Sequence, residues 1–240
     1  MASEYLKQKY KDVKPDPPKE LTPEEKRKNW WYYHKWHVVG GIVLALLAAN
    51  LIWDVTGRGK PKPDYQVGYV GSLSLPDDTV SAMGAALAAY GEDLNGDGQV
   101  LVRIRQYVSN ADGDPSAVSA IAVQLIADVS EQESFLFLLE DPESFQRYYR
   151  ALSYRDGSLP PEEDNSVDNM ALRWEDCPVL AGLDLGDYTH EMFGIGTITG
   201  SSQELLSDLY IARRGFWEGT EPEYAENYTA LWEALTEGAD

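Results

Sequence analysis

Residues 134–142 read SFLFLLEDP. A wholly apolar run of this length is typical of a central strand that is buried on both faces of a sheet. The Asp141-Pro142 pair then predicts the start of a helix, because aspartate accepts hydrogen bonds from the first free N–H groups and proline fits the first helical position. The segment therefore predicts a strand followed at once by a helix, which is the repeating unit of an α/β fold.

The same alternation extends towards the N-terminus. Residues 65–73 (YQVGYVGSL) and 100–108 (VLVRIRQYV) have the alternating pattern of strands, and residues 77–93 between them have helical spacing. A second helix is predicted from about residue 114 to residue 129. Three successive strand–helix units favour parallel pairing with right-handed crossovers. The predicted fold class is therefore α/β, with three layers and a mostly parallel sheet.

The alternation of predicted strands and helices becomes less clear after the helix that starts at Asp141-Pro142. Residues 157–169 (GSLPPEEDNSVDN) predict a loop, and residues 174–188 contain turn residues without a clear period. A strand is predicted over residues 209–217 (LYIARRGFW) and an amphipathic helix over residues 224–236. The simplest arrangement returns these late elements to the first sheet.

An uncharged run, VVGGIVLALLAANLIW, occupies residues 38–53. Counted from Trp36 it has 18 residues, which as a helix span about 27 Å, close to the roughly 30 Å of a bilayer core. Aromatic side chains lie at both ends, as expected at membrane–water interfaces. We predict one transmembrane helix over residues 36–55. The alternatives are a buried core helix and a cleaved signal peptide, and the long segment before the run argues against the latter.

Charge divides the chain into different parts. Residues 1–37 carry nine basic and six acidic side chains, whereas residues 64–240 carry eight arginines, no lysine and 33 acidic side chains. The basic side chains predict a cytoplasmic N-terminus and an extracytoplasmic C-terminal domain, with the protein in the cell membrane. The predicted parts are a disordered, basic and Pro-rich tail (1–35), the span (36–55), a linker (56–64) and the acidic α/β domain (65–240).

Composition and motifs exclude several classes of function. The net charge of −20 disfavours nucleic-acid binding, because neutralising phosphates needs clustered lysine and arginine. The single cysteine, Cys177, cannot form an internal disulfide and is interpreted as a small buried side chain. His190-Glu191 lacks the second histidine of a zinc-hydrolase motif, and no serine-nucleophile motif is present. We therefore predict that the protein is not an enzyme and assign no catalytic residue.

One segment matches the first half of a calcium-binding loop, DLNGDGQV (93–100). The loop pattern predicts a calcium ion held by side-chain oxygens and by the backbone carbonyl of its last ligand. Position 12, which should be glutamate, is Ile104. The alternative is a helix-to-strand turn, in which aspartate and asparagine form local hydrogen bonds and glycine adopts positive φ. The predicted metal ligands are Asp93, Asn95, Asp97 and Gln99.

Arg213-Arg214 is the only adjacent basic pair in the acidic domain. It suits an anion or a partner's carboxylate, but pairing with some of the many local acidic side chains is the favoured interpretation. The glycines of FGIGTITGSS (193–202) form too common a pattern to indicate a nucleotide site, and a hairpin or loop is expected there.

The segment QLIADVSEQESFLFLLEDPESF (124–145) is similar to a segment of a known protein family. This segment, with the strand–helix–strand before it, resembles the first lobe of bacterial extracytoplasmic solute-binding proteins, where an acidic residue follows the apolar strand at the cleft edge. The NGDG turn and LYIARRGFWEG (209–219) look like those of small membrane-anchored, uncharacterised Gram-positive proteins. The resemblance implies a solute-binding-protein-lobe-like fold, although the stretch between Ala151 and Ser207 is too short for a full second lobe.

The sequence thus predicts a membrane-anchored extracytoplasmic binding or interaction module, resembling a truncated solute-binding protein. The alternative is a structural or assembly component of an envelope or membrane complex without small-ligand binding. The expected partners are the lipid bilayer and either another envelope or membrane protein or a small ligand, with no nucleic acid. A pocket with convergent polar groups near Gly71, Val108 and Glu140 favours ligand binding, and a filled surface there with an apolar patch elsewhere favours assembly.

Overall fold

The computed structural model describes residues 20–55, 62–109, 115–192, 196–216 and 220–239. The chain divides into two units, Met1–Lys60 and Pro61–Asp240. Residues 1–19 of the predicted tail, residues 56–61 of the predicted linker and the expected helix start at Asp114 lie outside the described residues.

The first unit contains one long helix, α1 (Pro23–Val55). A capping box starts it, because the Thr22 backbone N–H donates to the Glu25 carboxylate at 2.9 Å and the Glu25 N–H donates to the Thr22 hydroxyl at 3.4 Å. The helix therefore begins well before Trp36, and the C-terminal part of the predicted disordered tail is helical instead. By length and composition α1 is suited to crossing a membrane, and none of its most apolar stretch is buried.

The second unit contains strands and helices at most of the predicted positions. Its strands are β1 (Tyr65–Gly71), β2 (Val102–Val108), β3 (Leu136–Leu139), β4 (Ala171–Arg173), β5 (Asp187–Met192), β6 (Gly196–Ser201) and β7 (Tyr210–Arg213). Its helices are α2 (Asp77–Ala88), α3 (Pro115–Glu131), α4 (Pro142–Tyr149), α5 (Pro178–Ala181), α6 (Ser202–Leu206) and α7 (Ala225–Leu235), with a 3-10 turn at Trp174–Asp176.

A mixed five-stranded sheet with the order β2-β1-β3-β7-β4 forms the centre of this unit. Both β2 and β3 are parallel to β1, whereas β7 is antiparallel to β3 and β4 is antiparallel to β7. The α/β class is confirmed, but a mostly parallel sheet is not, since two of the four strand pairings are antiparallel. After α4 the strand–helix alternation stops, and with it the crossovers that make neighbouring strands parallel.

Helices cover both faces of the sheet. Leu136 and Leu138 of β3 contribute to one hydrophobic core, and Phe137 and Leu139 contribute to the other, because successive side chains of a strand point to opposite faces. All four are 0% exposed, which confirms β3 as a central strand. The first core contains side chains of α2, α5 and α7, and the second contains side chains of α3 and α4.

A buried polar cluster fastens α3 to the sheet. Asp128 of α3 is 0% exposed, and its carboxylate accepts hydrogen bonds from the Ser134 N–H at 2.7 Å and the Ser134 hydroxyl at 2.5 Å. The Tyr107 hydroxyl of β2 and the Gln66 amide of β1, at 3.3 Å, also donate to it. Burial, together with the hydrogen bond to Asp128, raises the pKa of Tyr107. A buried carboxylate is tolerated when its lone pairs are filled in this way.

A separate antiparallel hairpin is formed by β5 and β6. The Thr189 N–H of β5 donates to the Asp78 carboxylate at 3.1 Å, which connects the hairpin to the first turn of α2. The glycine-containing segment that was expected to form a hairpin or loop therefore supplies β6, while residues 193–195 lie outside the described residues.

Candidate functional site

The C-terminal ends of β1 and β3 form the edge at which open α/β sheets bind ligands. After β1 the chain enters α2 on one face of the sheet, and after β3 it enters α4 on the other face. The chain therefore leaves two adjacent strands in opposite directions, and a crevice opens between them.

Two cavities lie at this edge, and both are lined by Glu140 and Asp141. The smaller has a volume of about 180 Å³ and contains hydroxyl groups of Ser72, Ser109 and Ser144 with aromatic rings of α4. The larger has a volume of about 460 Å³ and is lined by Arg155, Arg173, Asp168 and Tyr210 among others. We name the two cavities together the edge cleft. Its polar groups converge at the position that the sequence indicated, near Gly71 and Glu140.

Glu140 is held firmly in the wall of the smaller cavity. Its carboxylate accepts hydrogen bonds from the Ser72 hydroxyl at 2.9 Å and from the Ser72 backbone N–H. Gly71 leaves room for this approach, because a Cβ atom at this position would lie only 3.2 Å from Glu140 Oε2 and would also overlap the Tyr69 hydroxyl. Burial, with a smaller effect of the Glu140 charge, raises the pKa of Tyr69 to about 12, so that this phenol stays a neutral donor to the Leu73 carbonyl at 2.8 Å.

Asp141 caps the helix that forms the other wall. It precedes Pro142, as the sequence predicted, and its carboxylate accepts the Ser144 backbone N–H at 3.0 Å. Hydrogen bonds from Ser144 lower the pKa of Asp141 below its ordinary value of 3.8. The carboxylate is therefore charged at neutral pH and is fixed at the mouth of both cavities.

The cap makes stability depend on pH. Because the folded state lowers the pKa of Asp141, its contribution is present above pH 3.8 and is lost as the pH falls through the lower folded value. We expect Asp141→Ala to reduce the free energy of unfolding by about 1 kcal/mol at pH 7. The difference from the wild type should shrink below pH 4, as measured by urea denaturation of both proteins from pH 7 to pH 2.5. A difference that stays constant over this range would contradict the assignment.

Arginine side chains give the larger cavity its donors. Arg173 forms ion pairs with Asp208 at 2.7 Å and Glu175 at 2.9 Å, and an Arg155 Nη donates to the Asp168 carbonyl at 3.0 Å. The Nε atoms of Arg155 and Arg173 are buried without a hydrogen-bond partner. The edge cleft thus combines fixed carboxylates with guanidinium groups whose hydrogen-bonding capacity is not filled.

The four predicted calcium ligands lie together on the loop between α2 and β2. The Asp93 carboxylate accepts the backbone N–H groups of Gly96 at 2.7 Å and Gly98 at 2.8 Å. The φ angles of these glycines are +73° and +86°, which the turn requires. The Asn95 and Asp97 side-chain oxygens each accept the N–H two residues onward, at 2.9 Å.

The Asp93 carboxylate and one side-chain oxygen each of Asn95 and Asp97 are therefore already acceptors of backbone N–H groups. This arrangement is the local turn that the sequence offered as the alternative, and Ile104 lies within β2. Among the described residues, histidine, cysteine, aspartate and glutamate side chains form no group of three or more suited to a metal ion. Calcium binding by Asp93, Asn95, Asp97 and Gln99 stays a prediction.

The loop can be tested with and without calcium. We expect Asp93→Ala to lower the free energy of unfolding by about 1–2 kcal/mol in the presence of EDTA, because two backbone donors lose their acceptor. Urea denaturation measures this change, with the exposed Asp184→Ala as the control. Repeating it in millimolar calcium tests the ion: stabilisation of the wild type that Asp93→Ala lacks would support the site, and unchanged wild-type stability would contradict it.

Cys177, Arg213 and Arg214, which the sequence analysis also considered, are all buried. Cys177 is 0% exposed, and burial raises the pKa of its thiol to about 11, in agreement with its interpretation as a buried side chain. Arg213 and Arg214 are 5% and 3% exposed. Among the described residues neither arginine forms a direct ion pair, although the charges of Glu233 and Asp156 act on Arg213 and the charge of Asp128 acts on Arg214. Both lie on or beside the short strand β7, whose burial removes them from the acidic surface.

The structural role of Asp128 was not predicted from the sequence. A signal was available, because Asp128 is the only charged residue of α3 before the helix's final Glu131. A single acidic side chain within an otherwise apolar helix is typical of a satisfied buried group.

Comparison of the chain with known protein families, with curated proteins and with solved structures finds no match. The likeness to solute-binding proteins therefore rests on the quoted sequence segments alone.

Proposed function

We propose that the chain is a single-pass membrane protein whose acidic domain is an extracytoplasmic binding or interaction module without enzymatic activity. The observation that carries the proposal is the edge cleft, in which fixed carboxylates, hydroxyl groups, arginines and aromatic rings converge at the switch point of the sheet. The apolar helix α1 supports the anchoring part of the proposal.

The dimensions of the edge cleft favour a small polar ligand. Cavities for drug-sized ligands have volumes of roughly 300–1,000 Å³. The larger cavity, at about 460 Å³, falls in this range, whereas the smaller one, at about 180 Å³, suits a single functional group or one peptide side chain. A small solute, or one exposed side chain of an envelope protein, would fit these dimensions.

A ligand screen tests the edge cleft. Full-length protein in detergent micelles is heated with a panel of amino acids, sugars, short peptides and organic acids, and its melting temperature is recorded. We expect at least one compound to stabilise the wild type but not Glu140→Gln, because that variant removes the charge that holds Ser72. Glu162→Gln, in an exposed loop, is the control. Equal stabilisation of the wild type and Glu140→Gln by every compound would place binding elsewhere and overturn this part of the proposal.

Orientation is tested in intact cells. With the N-terminus in the cytoplasm, protease added to protoplasts should remove the acidic domain and leave an epitope tag at the N-terminus protected. Protection of the acidic domain would overturn the extracytoplasmic assignment.

The second candidate function is a structural or assembly component of a membrane complex, and the outer face of α3 favours it. Val123 and Ile126 are 65% and 53% exposed, and the one charged side chain of α3 before Glu131 is buried. An uncharged, apolar helix face on a strongly acidic domain is typical of an interaction surface. If assembly is the function, Val123→Asp with Ile126→Asp should dissociate a complex seen on native gels while leaving the melting temperature within a few degrees.

A further inference from the structure

A third cavity lies at the end of the sheet opposite the edge cleft. Arg213, the last residue of β7, pairs with Leu136, the first residue of β3, whereas Glu140 follows the last residue of β3. The cavity has a volume of about 400 Å³ and is lined by Arg213, by its neighbour Arg214 and by side chains of α7. It shares no lining residue with the edge cleft.

The guanidinium of Arg213 forms part of the wall of this cavity. One Nη atom donates to the Thr229 hydroxyl at 3.0 Å, and a Cβ atom on Gly157 would lie 3.2–3.3 Å from the guanidinium. Thr229 and Gly157 both line the cavity, so the end of the arginine side chain lies there too. The rings of Phe135 and Trp232, with centroids at 5.9 and 6.0 Å, flank the cation.

This arginine has unused hydrogen-bonding capacity. Its side chain is 5% exposed, its Nε has no hydrogen-bond partner, and it forms no ion pair with the described residues. A buried guanidinium that forms no direct ion pair is costly, and its planar fork of donors matches a carboxylate. Burial lowers the pKa of Arg213, and the charges of Glu233 and Asp156 offset this only in part.

The acidic side chains around the cavity disfavour ligands that carry only negative charge. Glu221, together with Glu226 and Glu233 of α7, lines the same cavity as Arg213, and the surrounding domain carries 33 acidic and eight basic side chains. A ligand with only negative charge would be repelled by these three glutamates. A ligand that also carries an ammonium group gives them a partner.

We infer that this cavity binds a small zwitterion, with its carboxylate on Arg213 and its ammonium group facing Glu226 and Glu233. The ligand class is that of free amino acids and related amino carboxylates. The cavity is separate from the edge cleft, so this inference and the proposed function fail independently.

Calorimetric titration of full-length protein in detergent micelles at pH 7 tests the inference. The probes are glycine, 4-aminobutyrate and 6-aminohexanoate, which differ in the spacing of their charges, and butyrate and butylammonium are the single-charge comparators. We expect at least one amino carboxylate to bind at least about tenfold more tightly than both comparators. Arg213→Met should abolish this binding, whereas Arg105→Met, at an exposed ion pair with Glu133, should leave it unchanged.

A second variant tests the inference even if Arg213→Met fails to fold. Glu226 and Glu233 are exposed, so the double variant Glu226→Gln with Glu233→Gln should fold normally. It should weaken amino carboxylate binding about tenfold and strengthen butyrate binding, because two of the three negative charges that line the cavity are removed while the arginine remains. The inference is overturned if no amino carboxylate binds the wild type more tightly than the comparators, or if the double variant leaves this preference unchanged.

Discussion

Replacing Asp128 by alanine is expected to lower the free energy of unfolding by about 3–5 kcal/mol. The variant leaves the Tyr107 hydroxyl, the Gln66 amide and both Ser134 donors without their common acceptor. Each buried polar group that loses its partner costs about 1–3 kcal/mol. Because these groups belong to three neighbouring strand segments, we expect α3 to loosen from the sheet. Urea denaturation followed by near-ultraviolet circular dichroism measures the effect.

Glu131→Ala is the matched control for this variant. Glu131 lies on the same helix but is exposed, so its removal should change stability by no more than about 0.5 kcal/mol. A loss of less than about 1 kcal/mol in Asp128→Ala would show that the cluster adds little to stability.

Two arginines introduced into α1 are expected to release the protein from the membrane. Leu44 and Leu47 lie in the apolar run of α1, and both side chains are exposed. Each arginine at the centre of a membrane helix costs about 2.5–3.5 kcal/mol on insertion scales, so Leu44→Arg with Leu47→Arg should shift insertion by about 5–7 kcal/mol. Alkaline extraction of cell membranes measures the outcome, and the double variant should move from the pellet to the extract.

Leu73→Arg is the control for membrane release. Leu73 is 66% exposed in the second unit, so this arginine adds the same charge outside α1 and should leave the protein in the pellet. Retention of the double variant in the pellet would contradict the role of α1 as the membrane anchor.

The elements that the sequence predicted well are those with a strong periodic signal. The apolar run before Glu140 is typical of a strand buried on both faces, and its four strand residues are fully buried. The Asp141-Pro142 pair marked the start of α4 correctly, because the cap is a local interaction between neighbouring residues.

The antiparallel direction of β4 and β7 could not be predicted from the sequence pattern. With three and four residues, β4 and β7 are too short to show a period, and their antiparallel pairing depends on contacts distant in the chain. The helix periodicity of α3 was also misleading, since Ile126 has helical spacing with core residues but is 53% exposed.

The candidate site was predictable in position but not in chemistry. Glu140 was expected at a cleft edge, and it lines both cavities of the edge cleft. The contact of its carboxylate with Ser72 joins residues far apart in the sequence and needs the close approach permitted by Gly71. The burial of Arg213 was not foreseen either, because an arginine in an acidic domain ordinarily belongs to the solvated surface.

The buried thiol of Cys177 can be used to measure local opening of the protein. Since the chain has no other sulfhydryl group, a colorimetric disulfide reagent can react only when the region around this side chain opens. When reclosing is faster than the reaction, the rate of colour development divided by the rate for the unfolded chain gives the opening equilibrium. A cysteine introduced at an exposed position would react much faster than Cys177. A fluorophore or spin label could therefore be attached to it without first replacing Cys177.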